Sequence, residues 1–237
     1  MIDRSVSTPP PSPSRPSRRQ LLTTGLGIAG GTAIWATGLS GTASAAPAAE
    51  PAAAPRSAAG TTGNGWPVID QAATQHLEGA YGVEFAVRDG DAATLLTHLA
   101  RRYHYEIRTL AAGDVTGHTA ELTTAAPYES NYRSGTAIAI LPRLYPAGAS
   151  GGFFSNELTV IRDILADLEG TVKWGGDEAL PKESHFQIDL PPNDPRVRKV
   201  AAKIRQWNDS PGKGAGASDP LAPGRLQAAR ALTPQGR

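Results

Sequence analysis

The 237-residue chain has no cysteine and a single methionine. The first absence excludes disulfide staples, thiol catalysis and every cysteine-ligated zinc site, so a folded domain here is held by its core alone. Aromatic residues make up only 6% of the chain and histidines number five, so any metal or acid–base site must draw on few imidazoles. Excess charge of one sign is missing as well: 23 Lys and Arg stand against 22 Asp and Glu, a formal net of +1. Without a clustered basic face there is no electrostatic case for a nucleic-acid partner. Long apolar runs are absent except for a Gly/Ala/Leu-rich stretch that ends near Gly41. That stretch barely reaches the ~20 residues a spanning helix needs.

What precedes and follows this stretch gives it another meaning. Ser17-Arg18-Arg19-Gln20-Leu21-Leu22 leads into it, and Ala43-Ser44-Ala45 follows it. A charged start, a weakly apolar middle and an A-x-A site predict a cleaved signal peptide over residues 1–45, with the paired arginines read by the Tat export machinery. An uncleaved membrane anchor is the alternative. Cleavage would leave 19 Lys and Arg against 21 Asp and Glu, with no membrane span in the mature chain. The expected location is secreted or cell-wall associated.

Residues 46–62 are rich in Ala, Pro, Gly and Ser and read as a flexible linker, and 209–237 read as a disordered tail in which Leu226 to Leu232 form at most a short helix. Between them, 63–208 has the size of one domain, without an internal repeat. Val83, Phe85 and Val87 alternate with polar neighbours and predict a strand ended by Asp89-Gly90. Asp91 suits an N-cap for a helix with Ala92, Leu95, Leu96, Leu99 and Tyr103 on one face. Strands are predicted over Tyr105 to Leu110, Thr136 to Leu141, Val172 to Trp174 and His185 to Ile188. Ser155 is placed as cap of a helix bearing Leu158, Ile161, Ile164, Leu165 and Leu168; Asp194 and Pro195 open a last helix with Val197, Val200, Ala201 and Ile204. Short strands and turns interrupted by helices predict an α+β class with an antiparallel sheet.

Two strings carry the chemistry. Ser130-Asn131-Tyr132-Arg133-Ser134-Gly135-Thr136-Ala137-Ile138-Ala139 and Lys182-Glu183-Ser184-His185-Phe186 resemble the zinc motifs S-x-H-x-x-G-x-A-x-D and D/E-x-x-H-F of the VanY-type D-alanyl-D-alanine carboxypeptidases. Asn64-Gly65-Trp66-Pro67-Val68 and Trp174-Gly175-Gly176-Asp177 resemble further stretches of that family, and the resemblance spans roughly Asn64 to Trp207. It implies a Hedgehog/DD-peptidase-like fold whose sheet floor carries the metal. In that frame His185 is the only retained ligand; Tyr132 and Ala139 stand where the family has His and Asp, and Lys182 stands at the base position.

A catalytic zinc site needs three protein ligands, an open position for water and a carboxylate to take the proton. A phenol with an ordinary pKa of about 10 is a poor ligand, a methyl is none, and an ammonium repels the cation. Loss of two of three ligands removes on the order of 5 kcal/mol of the ~10–16 that a structural site supplies. No catalytic residue and no cofactor are therefore expected, with zinc only if the protein is active through substitute ligands. Glu183, two before His185, is the candidate relocated base, with Asp177 the other carboxylate nearby. Ser130, Ser134, Thr136, Trp174 and Asp177 are the candidate binding residues. Trp174 serves equally as a stacking platform or a core residue, Gly135 as a tight strand entry, and His185 as a hydrogen-bonded core histidine. His98 and His104, at the end of the first helix, read as solvated.

These readings converge on a catalytically inactive envelope module that binds a peptidoglycan peptide or has a regulatory role. Two alternatives stay open: an active zinc D-alanyl-D-alanine carboxypeptidase with non-standard ligands, and a structural envelope protein without ligand.

Overall fold

In the computed structural model, residues 60–210, 212 and 219–234 are described. The expected signal segment, with Arg18 and Arg19, and all but the last three residues of the expected linker lie outside them. The class is α+β, with two small antiparallel sheets and flanking helices. A hairpin of β1 (Ala73–His76) and β2 (Glu84–Val87) leads into α1 (Asp91–Glu106). The main sheet runs in the order β3 (Val115–Thr116), β4 (Ala137–Ile140), β6 (His185–Ile188), β5 (Val172–Trp174), every neighbouring pair antiparallel.

The period-2 rule divides that sheet cleanly. Ile138, Ile140, Phe186, Ile188, Val172 and Trp174 point into the main core, where α1, α2 (Ser155–Asp167) and α3 (Pro195–Asn208) pack their apolar stripes. Ala137 and Ala139 of β4, opposite Gln187 and His185 of β6, point the other way. This second face carries the site.

Most expected elements are present, and the departures have local causes. Residues Tyr105 and Glu106 end α1 rather than start a strand; Ile107 and Arg108 both donate to the Tyr103 carbonyl, and the Leu110 amide donates to His104 Nδ1 at 2.9 Å, so the chain folds back before it can extend. His98 and His104 are accordingly buried, not solvated. Asp91 lies just inside α1, with Gly90 as its cap. Ser155 does not cap α2: Glu157 reaches back to accept from the Phe154 amide at 2.8 Å. Asp194 caps α3 as expected, accepting from the Arg196 amide at 2.9 Å.

The tail departs most. Residues 223–231 form α4 (Pro223–Ala231), which packs on α2. A nine-residue helix is unstable in isolation, but Arg225 joins Arg102 of α1 on the buried Asp163 and Asp167 of α2, with Arg102 also paired to Glu106. This arrangement of two guanidiniums against three carboxylates ties three helices together. The linker boundary also shifts: Thr62 is buried and bonds to Ser134 at 3.0 Å. Among the described residues no helix is long and apolar enough to cross a membrane.

Candidate functional site

A 3-10 segment, Pro127–Ser134, delivers most of the site. Glu129 organises its start by accepting from the Ala125 and Ala126 amides at 2.5 and 3.1 Å. Its end is Gly135, at φ 68°, where a Cβ would meet the Arg88 amide nitrogen at 2.6 Å; only glycine fits both the left-handed turn and the close approach of the chain after β2. The turn then feeds β4, and the antiparallel register sets Ala139 opposite His185.

Around His185 the side chains form one chain of hydrogen bonds. Tyr132 Oη lies 2.7 Å from His185 Nδ1, and His185 Nε2 lies 3.0 Å from Gln187 Oε1. Asn131 Nδ2 donates to the same Gln187 oxygen at 2.7 Å, and Gln187 Nε2 donates to Asp189 Oδ1 at 3.3 Å. Burial raises the Tyr132 phenol far above its ordinary value, so it stays protonated and acts as the donor. Complete burial, helped by the Lys182 charge, pulls the His185 imidazole down to about 4 against the bond to Gln187 and the Glu129 charge; at neutral pH it is neutral. The tautomer follows: Nδ1 accepts from Tyr132 and Nε2–H donates to Gln187.

Two rings shield this imidazole. The centroid of Tyr128 lies 4.7 Å from it and that of Tyr132 5.0 Å. Tyr128 Oη donates to the Leu180 carbonyl at 2.8 Å, bridging the 3-10 segment to the loop before β6. Burial, with the Glu129 and Glu178 charges adding to it, pushes the Tyr128 phenol up to about 12, so this donor also persists at neutral pH.

Lys182 approaches from the other side. Its ammonium lies 2.6 Å from Glu129 Oε1 and 5.2 Å from the centre of the Tyr132 ring. The Glu129 carboxyl is held below the usual range because, against its burial, the Lys182 hydrogen bond and the two backbone amides favour the charged form. Tyr132, Ala139, Lys182 and His185 thus meet in one place.

Zinc does not fit these residues. Ala139 presents a methyl, Lys182 a cation already paired with Glu129, and neither nitrogen of His185 retains a free lone pair. Among the described residues no group of three or more His, Asp or Glu is disposed to hold a metal ion.

Other expected site residues fall elsewhere. Trp174 points into the core, with Nε1 donating to the Glu183 carbonyl at 2.7 Å, because its β5 position shares the face of Phe186. Asp177 is held by Arg162 through two hydrogen bonds of 2.5 and 2.6 Å. Glu183 precedes the strand, so strand alternation does not apply to it; its carboxylate accepts from the Gly151 and Gly152 amides at 2.8 and 2.9 Å. Ser134 and Thr136 share a buried hydroxyl cluster with Thr62, and Asn64 Nδ2 donates to Thr136 Oγ1 at 2.8 Å. Ser130 Oγ accepts from the Gly63 amide at 2.9 Å and donates to the Pro127 carbonyl. These three hydroxyls anchor the segment around Asn64-Gly65-Trp66, whose indole donates to the Leu190 carbonyl at 2.8 Å.

Beside the shielded imidazole opens a cleft of about 490 Å³. Asn131 and Gln187 lie at its base, Tyr128 and Leu180 form one wall, and Glu178 and Asp189 contribute carboxylates. None of these lining residues was singled out from sequence. Alternation from His185 would have marked Gln187 and Asp189; nothing local marks Asn131 or Tyr128. No family model, no curated protein and no solved structure matches the chain.

Proposed function

We propose that this chain is an exported, catalytically inactive relative of the VanY-type carboxypeptidases, with a Hedgehog/DD-peptidase-like domain that serves the cell envelope as a peptide-binding module. One observation carries the reading. Tyr132 and Ala139 come from one stretch of sequence and Lys182 and His185 from another, and the four lie together around the His185 imidazole, which supports reading the two strings as one site. The chemistry at each position is the reverse of what hydrolysis needs: no ligand set, no carboxylate at the base position, and an imidazole sealed by two tyrosines.

The adjoining cleft has the volume of a ligand site and amide side chains at its base, as peptide recognition requires. Its natural ligand in this reading is the stem peptide of peptidoglycan. The test is sedimentation of the purified protein with intact peptidoglycan, alongside incubation with a D-alanyl-D-alanine peptide and added zinc. Retention without hydrolysis is expected. Chelator-sensitive cleavage would make the protein an active peptidase, and failure to sediment would leave a structural envelope role.

A further inference from the structure

The hydrogen-bond inventory of the cleft specifies which end of a peptide it suits. At the base, Gln187 Oε1 is filled, taking both Asn131 Nδ2 and His185 Nε2, and Asn131 Oδ1 takes the Asn64 amide at 3.1 Å, with one lone pair left. The two amide nitrogens hold the larger unused capacity. Asn131 and Gln187 are only 1% and 4% exposed, and each amide nitrogen makes a single hydrogen bond, to Gln187 Oε1 and Asp189 Oδ1 respectively. Each therefore has a second hydrogen for which the described residues provide no acceptor. A buried N–H left in this state is costly, and a peptide carbonyl in the cleft would satisfy it.

The charge of the lining is one-sided. Among the described residues, Glu178 and Asp189 are its charged members, and no lysine or arginine lines it. Of the cations close by, Lys173 lies 3.1 Å from Glu178, and Lys182 is paired with Glu129. Asp189 is exposed, with no hydrogen bond to its Oδ2 among the described residues. A free carboxylate terminus would meet repulsion here.

We propose that the cleft binds a peptide through an internal carbonyl on the Asn131 and Gln187 amides and through a primary ammonium on Asp189, the ammonium being the side chain of a diamino-acid residue such as a stem peptide carries. This rests on the peptide-binding reading above and changes its ligand: the D-alanyl terminus, which a metal would have oriented, is no longer the recognised group. Asp189 is the specificity-determining residue.

Peptide titrations and sedimentation with the purified full chain decide it. The probes are the amino-terminally acetylated pentapeptide L-Ala-γ-D-Glu-L-Lys-D-Ala-D-Ala, its Nε-acetyl-lysyl form and its C-terminal amide, titrated calorimetrically. Acetylation of the lysine should weaken binding at least about fivefold, since a hydrogen bond to a charged group is lost, while amidation of the terminus changes it less than about twofold. In Asp189→Asn, whose side chain still accepts from Gln187, the lysyl and acetyl-lysyl peptides should bind alike. A larger loss on amidation than on acetylation overturns the proposal and leaves peptide binding intact. No binding of any probe by a protein that sediments with peptidoglycan overturns it and moves the envelope contact elsewhere. No binding in either assay removes both readings.

Discussion

Replacing Tyr132 with phenylalanine removes one oxygen and nothing else from the ring that shields His185. That oxygen donates to Nδ1 at 2.7 Å, and both residues are buried, Tyr132 at 4% and His185 at 0% exposure. Because the ring remains, the loss of packing is small, and the cost is that of a buried acceptor left without its donor, about 1–3 kcal/mol. That lowers the folded-to-unfolded ratio roughly 5- to 140-fold. Urea unfolding should show an earlier midpoint with an unchanged slope, because the same surface is exposed. A double-mutant cycle with His185→Leu should return a coupling of at least about 0.5 kcal/mol, as is usual for contacting residues. Imidazole nitrogen shifts in the parent should report a proton on Nε2 and none on Nδ1. A variant within ~0.3 kcal/mol of the parent, together with a proton on Nδ1, would refute the directed chain from Tyr132 through His185 to Gln187.

Three further outcomes follow from the same packing. His185 and His98 have folded pKa values lowered by burial to about 4 and about 3, the latter helped by Arg101, Arg102 and Lys203, so below pH ~6.5 the unfolded chain takes up protons the folded chain refuses. Stability should be full above pH 6.5 and fall by about 2–3 kcal/mol per histidine on descending to pH 4.5, measured by urea unfolding; equal stability at pH 7 and 4.5 would contradict the burial argument. Arg225→Ala should cost about 1–3 kcal/mol, less than the ~3–5 of a wholly broken buried pair because Arg102 stays on Asp163, and hydrogen exchange should accelerate in α4 before the rest. The triple variant Tyr132→His, Ala139→Asp, Lys182→Asp should bind zinc where the parent does not, read as a metal-dependent rise in melting temperature. Its apo form should be markedly destabilised, since position 182 then sets a carboxylate against Glu129; a folded variant indifferent to zinc would disprove the convergence of these positions on a ligand geometry.

Most of the secondary structure was legible in the chain itself. Apolar periodicity marks α1 through Leu95, Leu96 and Leu99, alternation marks β2, and Asp194-Pro195 opens α3, because these signals act over one or two turns. The side chains at positions 132, 139 and 182 are a phenol, a methyl and an ammonium, and that much is a property of residue type alone. The expected strand over Tyr105 to Leu110 failed where a side chain, His104, captured a backbone amide. Short-range patterns do not contain that competition.

Tertiary structure decided the rest, wherever a side chain's partner lies far along the sequence. Glu183 looked like a base beside His185, but two glycine amides some thirty residues earlier claim its carboxylate. Trp174 and Asp177 went to the core and to Arg162 by the register of β5 and the approach of α2. The tail helix exists because buried Asp163 and Asp167 offer Arg225 a site that no isolated nine-residue segment could make. The cleft, with amide donors from the 3-10 segment and β6 and a carboxylate at the end of the strand, belongs to no motif. Residue types alone determined which donor and acceptor atoms stand at His185 and its neighbours; the long-range pairing of strands and loops determined which of those atoms are paired with one another.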